Sequence, residues 1–174
     1  ASTYADASAS LPETVDGSLI VRDNSVSLAG KTINGDLIIA DGVSQIDLSN
    51  VTVTGRILLR GGESGVNFAN TKAGKGIIAN TDIAVSGSVD SITVAQGSAI
   101  TVNSGASVGS INVNAEGAKI TGAGKVGTVK ANANNVTVTT TGTKVTAADS
   151  VSGVKAGDKA VSAGKAETVG STAS

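Results

Sequence analysis

The side chains able to do chemistry in this chain are 14 aspartates and glutamates set against 13 lysines and arginines, with no histidine and no cysteine. Without histidine, the usual proton carrier near pH 7 and the commonest imidazole ligand are missing. Without cysteine there is no disulfide, no thiolate nucleophile and no cysteine-ligated zinc. The chemistry left open is a carboxylate pair, or a carboxylate beside an arginine, of the kind polysaccharide-cleaving enzymes use. Two placements qualify. Asp36 lies 20 residues before Arg56, and Arg60 lies three residues before Glu63. Both read more simply as surface ion pairs between stacked elements. The remaining carboxylates are scattered along the chain. The expectation is therefore a non-enzymatic protein with no catalytic, cofactor or metal site. The stretch Gly122-Ala123-Gly124-Lys125-Val126-Gly127 lacks the Gly-Lys-Ser/Thr order of a phosphate loop and reads as a tight corner.

The elements that must position these residues are unusual in composition. Of 174 residues, 40% are hydrophobic but only 1% aromatic, and Tyr4 and Phe68 are the whole aromatic stock. A core of ordinary thickness draws much of its buried area from large aromatics. This one must be built from Val, Ile, Leu and Ala in thin layers. The 23 glycines, against one proline, supply the chain reversals together with Asn, Asp and Ser. Net charge is −1. With no basic excess and almost nothing to stack on bases, nucleic acid is excluded as a partner. No apolar run reaches the length of a membrane-spanning helix.

A repeat decides the fold class. Val26, Ile46 and Val66 recur at steps of 20, and the register carries Ile33 onto Val53 and Ala73, and Leu37 onto Ile57 and Ile77. Downstream the step shortens. One column runs through Ile83, Ile100, Ile120 and Val136, a second through Val89, Val108 and Val126, and a third through Ile92, Ile111, Val129 and Val145. Upstream, Leu19 precedes Leu37 by 18 residues. Each unit holds three short runs of alternating character, too brief for helices. The expectation is an all-β, single-domain parallel β-helix: a three-sided solenoid of about seven coils of 16–20 residues. Seven rungs at a strand spacing of roughly 4.8 Å give a rod of about 34 Å. Asn50 and Asn70 share a turn column, as an asparagine ladder in left-handed conformation would. Phe68 falls on Leu28 and Leu48 and reads as core. The pairs Thr52/Thr54 and Thr137/Thr139 hint at an ice-ordering threonine lattice, but Asn67, Ala84 and Asn112 at comparable positions interrupt it.

Gly17-Ser18-Leu19-Ile20-Val21, the run Asn34 to Gly42 and the run Val51 to Gly62 resemble a known module. It is the β-helical repeat of secreted cell-surface proteins, associated with S-layer homology domains, in spore-forming Gram-positive bacteria. The resemblance is strongest over residues 15–80 and looser to residue 147. It implies a parallel β-helix and a secreted, extracellular or cell-surface location, and it implies no established activity. The opening Ala1-Ser2-Thr3-Tyr4-Ala5 also reads as the start of a mature secreted chain.

A solenoid leaves open strand edges at its ends, and no amphipathic capping helix is legible at either one. Residues 1–15 read as an N-terminal extension and a candidate exchanged strand, 16–147 as the β-helix, and 148–174 as a weakly patterned C-terminal coil or tail. The expected function is a structural subunit that associates head-to-tail with copies of itself into a fibre, matrix or surface layer. The expected self-assembly contacts are Tyr4, Leu11 and Val15 at one end and Val151, Val154 and Val161 at the other. The alternatives are a monomeric surface module binding wall or environmental polysaccharide, and a degenerate polysaccharide lyase or hydrolase.

Overall fold

The computed structural model describes residues 2–6, 10–97 and 99–170. Residues 1 and 7–9 of the expected extension and 171–174 of the expected tail lie outside them. Among the described residues there are 22 strands and no helix, wound into a three-sided parallel solenoid of about eight turns.

The first face is the longest. In spatial order it holds β1 (Ser2–Ala5), β3 (Ser18–Val21), β5 (Leu37–Ile39), β8 (Ile57–Leu59), β11 (Ile77–Ala79), β13 (Ser88–Val94), β15 (Ser107–Val113), β17 (Lys125–Ala131), β19 (Lys144–Ala147) and β22 (Ala166–Thr168). The second face holds β2 (Thr14–Asp16), β4 (Thr32–Asn34), β7 (Thr52–Val53) and β10 (Lys72–Ala73). The third holds β6 (Gln45–Asp47), β9 (Gly65–Asn67), β12 (Ile83–Ser86), β14 (Ala99–Val102), β16 (Lys119–Thr121), β18 (Thr137–Val138), β20 (Val154–Ala156) and β21 (Lys159–Val161).

Each strand is short because alternate residues must point inward and the interior is only a few side chains wide. Leu37 and Ile39 are buried while Ile38 between them is half-buried, and the same alternation recurs at Ile57, Leu58 and Leu59. Parallel pairing then carries like onto like. Ala5, Val21, Ile39, Leu59, Ala79, Val94, Val113, Ala131 and Ala147 form one unbroken inward column. Burying each Val, Ile or Leu contributes about 1.5–3 kcal/mol. The corner asparagines form the expected ladder. Asn50 and Asn70 stand at φ 59 and 56, and the Asn70 Nδ2 donates to Asn50 Oδ1 at 2.7 Å. The columns expected through Val89 and through Ile92 both form.

Three features depart from the sequence reading. Ile120 pairs with Val138, not Val136. Val136 and Val138 both point into the core, so a two-residue slip preserves every inside–outside assignment. The second face also ends at β10. Beyond it, β13, β15 and β17 bend round the corner and cover two sides. Their inward residues are three apart, as at Val108 and Ile111, so the strand must kink between them. Gly127 sits at that kink, where a Cβ would lie 2.6 Å from the Gly109 carbonyl oxygen. Finally, the weakly patterned C-terminal segment does not continue the parallel stack, because β21 and β22 pair antiparallel, as described below. Among the described residues the core is apolar except for Thr140 and Thr143. Thr143 donates to the Val126 carbonyl at 2.8 Å, so the 2.6 Å contact with Thr140 is donated by Thr140.

Phe68 is fully buried above the Leu28 and Leu48 positions. Its change to Ala is expected to cost about 3–5 kcal/mol. Thermal unfolding should show a midpoint lowered by roughly 10 °C. An unchanged midpoint would contradict the register.

Candidate functional site

The lateral faces do not bring the candidate chemical groups together. Asp36 and Arg56 do stack in register, but Asp36 Oδ1 accepts the Arg56 backbone N–H at 3.0 Å and no ion pair forms. The expected surface ion pair is therefore replaced by a bond that fixes the backbone at a corner. Arg60 and Glu63 do not pair either; Glu63 accepts the Thr81 hydroxyl at 3.3 Å. Among the described residues no group of three or more metal-ligating side chains occurs. Thr52 lies on the second face, whereas Thr137, Asn67 and Ala84 lie on the third and Asn112 on the first, so these residues form no shared lattice.

The ends of the rod are where the chain leaves strong groups unpaired. At the N-terminal end, β1 pairs with β3 from Ser2 on Ser18 to Ala5 on Val21. The expected exchanged strand thus lies in place on its own chain. Ala5 is fully buried and its carbonyl accepts the Arg22 N–H at 2.9 Å. In a parallel ladder a residue's amide and carbonyl point to the same side, and successive residues alternate. The Tyr4 amide and carbonyl therefore point away from β3, along the open edge. Its side chain is 54% exposed.

A small electrostatic clamp holds this edge. Arg22 grips Asp6 with both ends of its fork, Nε to Oδ1 at 2.9 Å and Nη2 to Oδ2 at 2.8 Å. The same guanidinium lies 4.3 Å from the centre of the Tyr4 ring. The hydrogen bond to Asp6 raises the Arg22 pKa above its ordinary value. Lys31 ties down the following segment, donating to the carbonyls of Leu11 at 3.1 Å and Pro12 at 3.3 Å. Leu11 is half-buried against the core and Val15 is buried in β2 opposite Ile33. Of the three contacts expected at this end, Tyr4 is accessible, Leu11 is partly so, and Val15 belongs to the chain's own interior.

The C-terminal end is closed differently. After β20 the chain turns through Gly157, at φ 62, and Asp158. It then returns as β21, antiparallel to β20. A second reversal, with Gly164 at φ 75, lays β22 antiparallel on β19. Val151, Val154 and Val161 are buried with Val169 beneath this cap. The three residues expected as contacts at this end are thus packing residues. The signal for the cap was present in the two-residue Gly-Asp loop between short apolar runs, a hairpin signature. The Val169 N–H bonds Thr143, and the Ala147 N–H bonds the Lys165 carbonyl. By alternation, Ala166 and Thr168 present their backbone groups to the open edge. All three β22 side chains are exposed. One edge acceptor is covered, because Lys159 Nζ donates to the Thr168 carbonyl at 3.1 Å.

The two ends also differ in charge. Residues 1–50 contain seven acidic and two basic side chains, and residues 125–174 contain six lysines and three acidic side chains. The near-neutral total conceals this separation. No family model, curated protein or solved structure matches the chain.

The edge assignment makes a direct prediction for amide exchange in dilute solution. The Tyr4 amide should exchange faster than the Ala5 amide, which faces β3. Protection of Tyr4 equal to that of Ala5 would show that the edge is already paired or turned inward.

Proposed function

We propose that the protein is a non-enzymatic structural subunit that associates head-to-tail with copies of itself into an extracellular fibre, matrix or surface layer. The observation that carries this reading is the opposite charge of two ends whose outermost strands belong to one sheet. Bringing β1 of one copy to β22 of the next sets the net-acidic first 50 residues against the net-basic last 50, although the reversed segment 157–170 is itself balanced, Lys159 and Lys165 against Asp158 and Glu167. Contacts between like ends would oppose like charges. Because β22 runs against the column, the new pairing would be antiparallel and would continue the first face from subunit to subunit. The contact uses different surfaces on the two partners and does not close on itself, which gives a filament rather than a ring. The extracellular setting rests on the resemblance of residues 17–62 to the surface-protein repeat.

Edge pairing, rather than burial of the valines once expected as contacts, is the cohesive element in this scheme. Lys159 partly blunts the receiving edge, a common way of restraining strand addition. Its ammonium must leave the Thr168 carbonyl before a new strand can use that acceptor.

Negative-stain electron microscopy across a concentration series tests this reading. The unaltered chain should form filaments that lengthen with concentration. Tyr4→Pro removes an outward N–H while sparing the bonds to β3, and should shorten or abolish them. Assembly should also slow as salt takes the screening length from about 30 Å to about 8 Å. Short discrete rods at every concentration would overturn the reading.

A further inference from the structure

We propose that the third face, beside the C-terminal cap, carries a binding groove for a carboxylate-bearing polysaccharide laid along the rod axis. Its two lysines in file, Lys119 and Lys155, lie outside the proposed end contact, while Lys159 is shared with the receiving edge. A groove of about 780 Å³ runs there, lined by residues that include Lys119, Thr137, Thr139, Lys155 and Lys159. Register places the first members in file. Lys119 stacks on Thr137, and Thr137 stacks on Lys155. The two lysines are therefore two rungs apart, about 9.6 Å along the axis, with a neutral hydroxyl between them.

The charges in this groove are largely uncommitted. Among the described residues the Arg22–Asp6 contact is the only ion pair, so neither Lys119 nor Lys155 has a carboxylate partner. Asp158 is the one acidic residue of the lining, and the Lys159 ammonium donates to the Thr168 carbonyl. Lys119 and Lys155 are both exposed. The groove thus presents separated point charges with threonine hydroxyls between and beside them.

That pattern selects among anions. Arginine, whose planar fork suits bidentate binding of a phosphate, is absent from the lining. So is any aromatic side chain on which a base could stack. A densely charged chain would place anions opposite Thr137 with no cation to meet them. A polysaccharide with carboxylates spaced along it and hydroxyls between satisfies both the lysines and the threonines. Stacked subunits would repeat the groove, although binding by a single subunit does not require this.

The test is affinity chromatography and titration of the full chain at low ionic strength. The probes are polygalacturonate oligomers, inorganic polyphosphate and neutral dextran, and sedimentation in the same samples records the assembly state. Polygalacturonate should bind more tightly than polyphosphate, and dextran should not bind. The double change Lys119→Gln with Lys155→Gln should weaken polygalacturonate binding about tenfold. A control that removes the same charge elsewhere, Lys72→Gln with Lys75→Gln, should leave it unchanged. Absence of polygalacturonate binding, equal loss in both double variants, or a preference for polyphosphate would each overturn the assignment. Comparing only samples that sediment as single subunits keeps these outcomes separate from the success or failure of end-to-end association.

Discussion

The structure depends on parallel backbone pairing between each coil and the next. That pairing carries every residue onto a partner one turn ahead, so each rung inherits the inside–outside pattern of the rung below. The column from Ala5 to Ala147 is the direct result. It is also why so light a sequence can hold a fold. No single layer buries much, but no coil has to find its own arrangement. The corners obey the same constraint. Asn50 and Asn70 repeat one left-handed turn and tie it with a side-chain bond, and Gly127 leaves room for the carbonyl of Gly109 below.

A parallel ladder contains no instruction to stop, so the ends must be settled by other means. The C-terminal end reverses the chain twice and covers the last rung with strands running the other way. The N-terminal end stays parallel to its final strand and is steadied by Arg22 between Asp6 and Tyr4. Among the described residues both ends therefore leave a strand edge, a parallel one at β1 and an antiparallel one at β22. Together with the opposed charge of the two halves, this asymmetry gives the rod a direction. The proposed function uses that direction, and the proposed groove uses the regular spacing of the side faces.

Much of the fold was legible in the sequence because aliphatic residues repeat in register. Val66 on Ile46, Ile57 on Leu37 and Ile111 on Ile92 are all pairs the spacing alone supplies. Val136 was misplaced because period-two alternation leaves an even slip invisible. The C-terminal cap was obscured for a different reason. Its valines repeat at irregular distances, since the reversals break the coil length that made the earlier columns readable. The candidate site was less legible than the fold. Burial separates Val15, Val151, Val154 and Val161 from Tyr4, and composition could not distinguish an end-capping valine from a contact-making one. The charge separation was available in the sequence, but a net charge near zero concealed it.

The central claim is that one sheet can run from subunit to subunit. Cryo-electron microscopy of the concentrated chain would measure it directly as the axial rise per subunit. Ten described strands on the first face, at roughly 4.8 Å each, predict a rise of about 48 Å with antiparallel pairing at each junction. Rods joined in two-fold pairs by like ends, or a filament whose rise matches no such stack, would contradict the account.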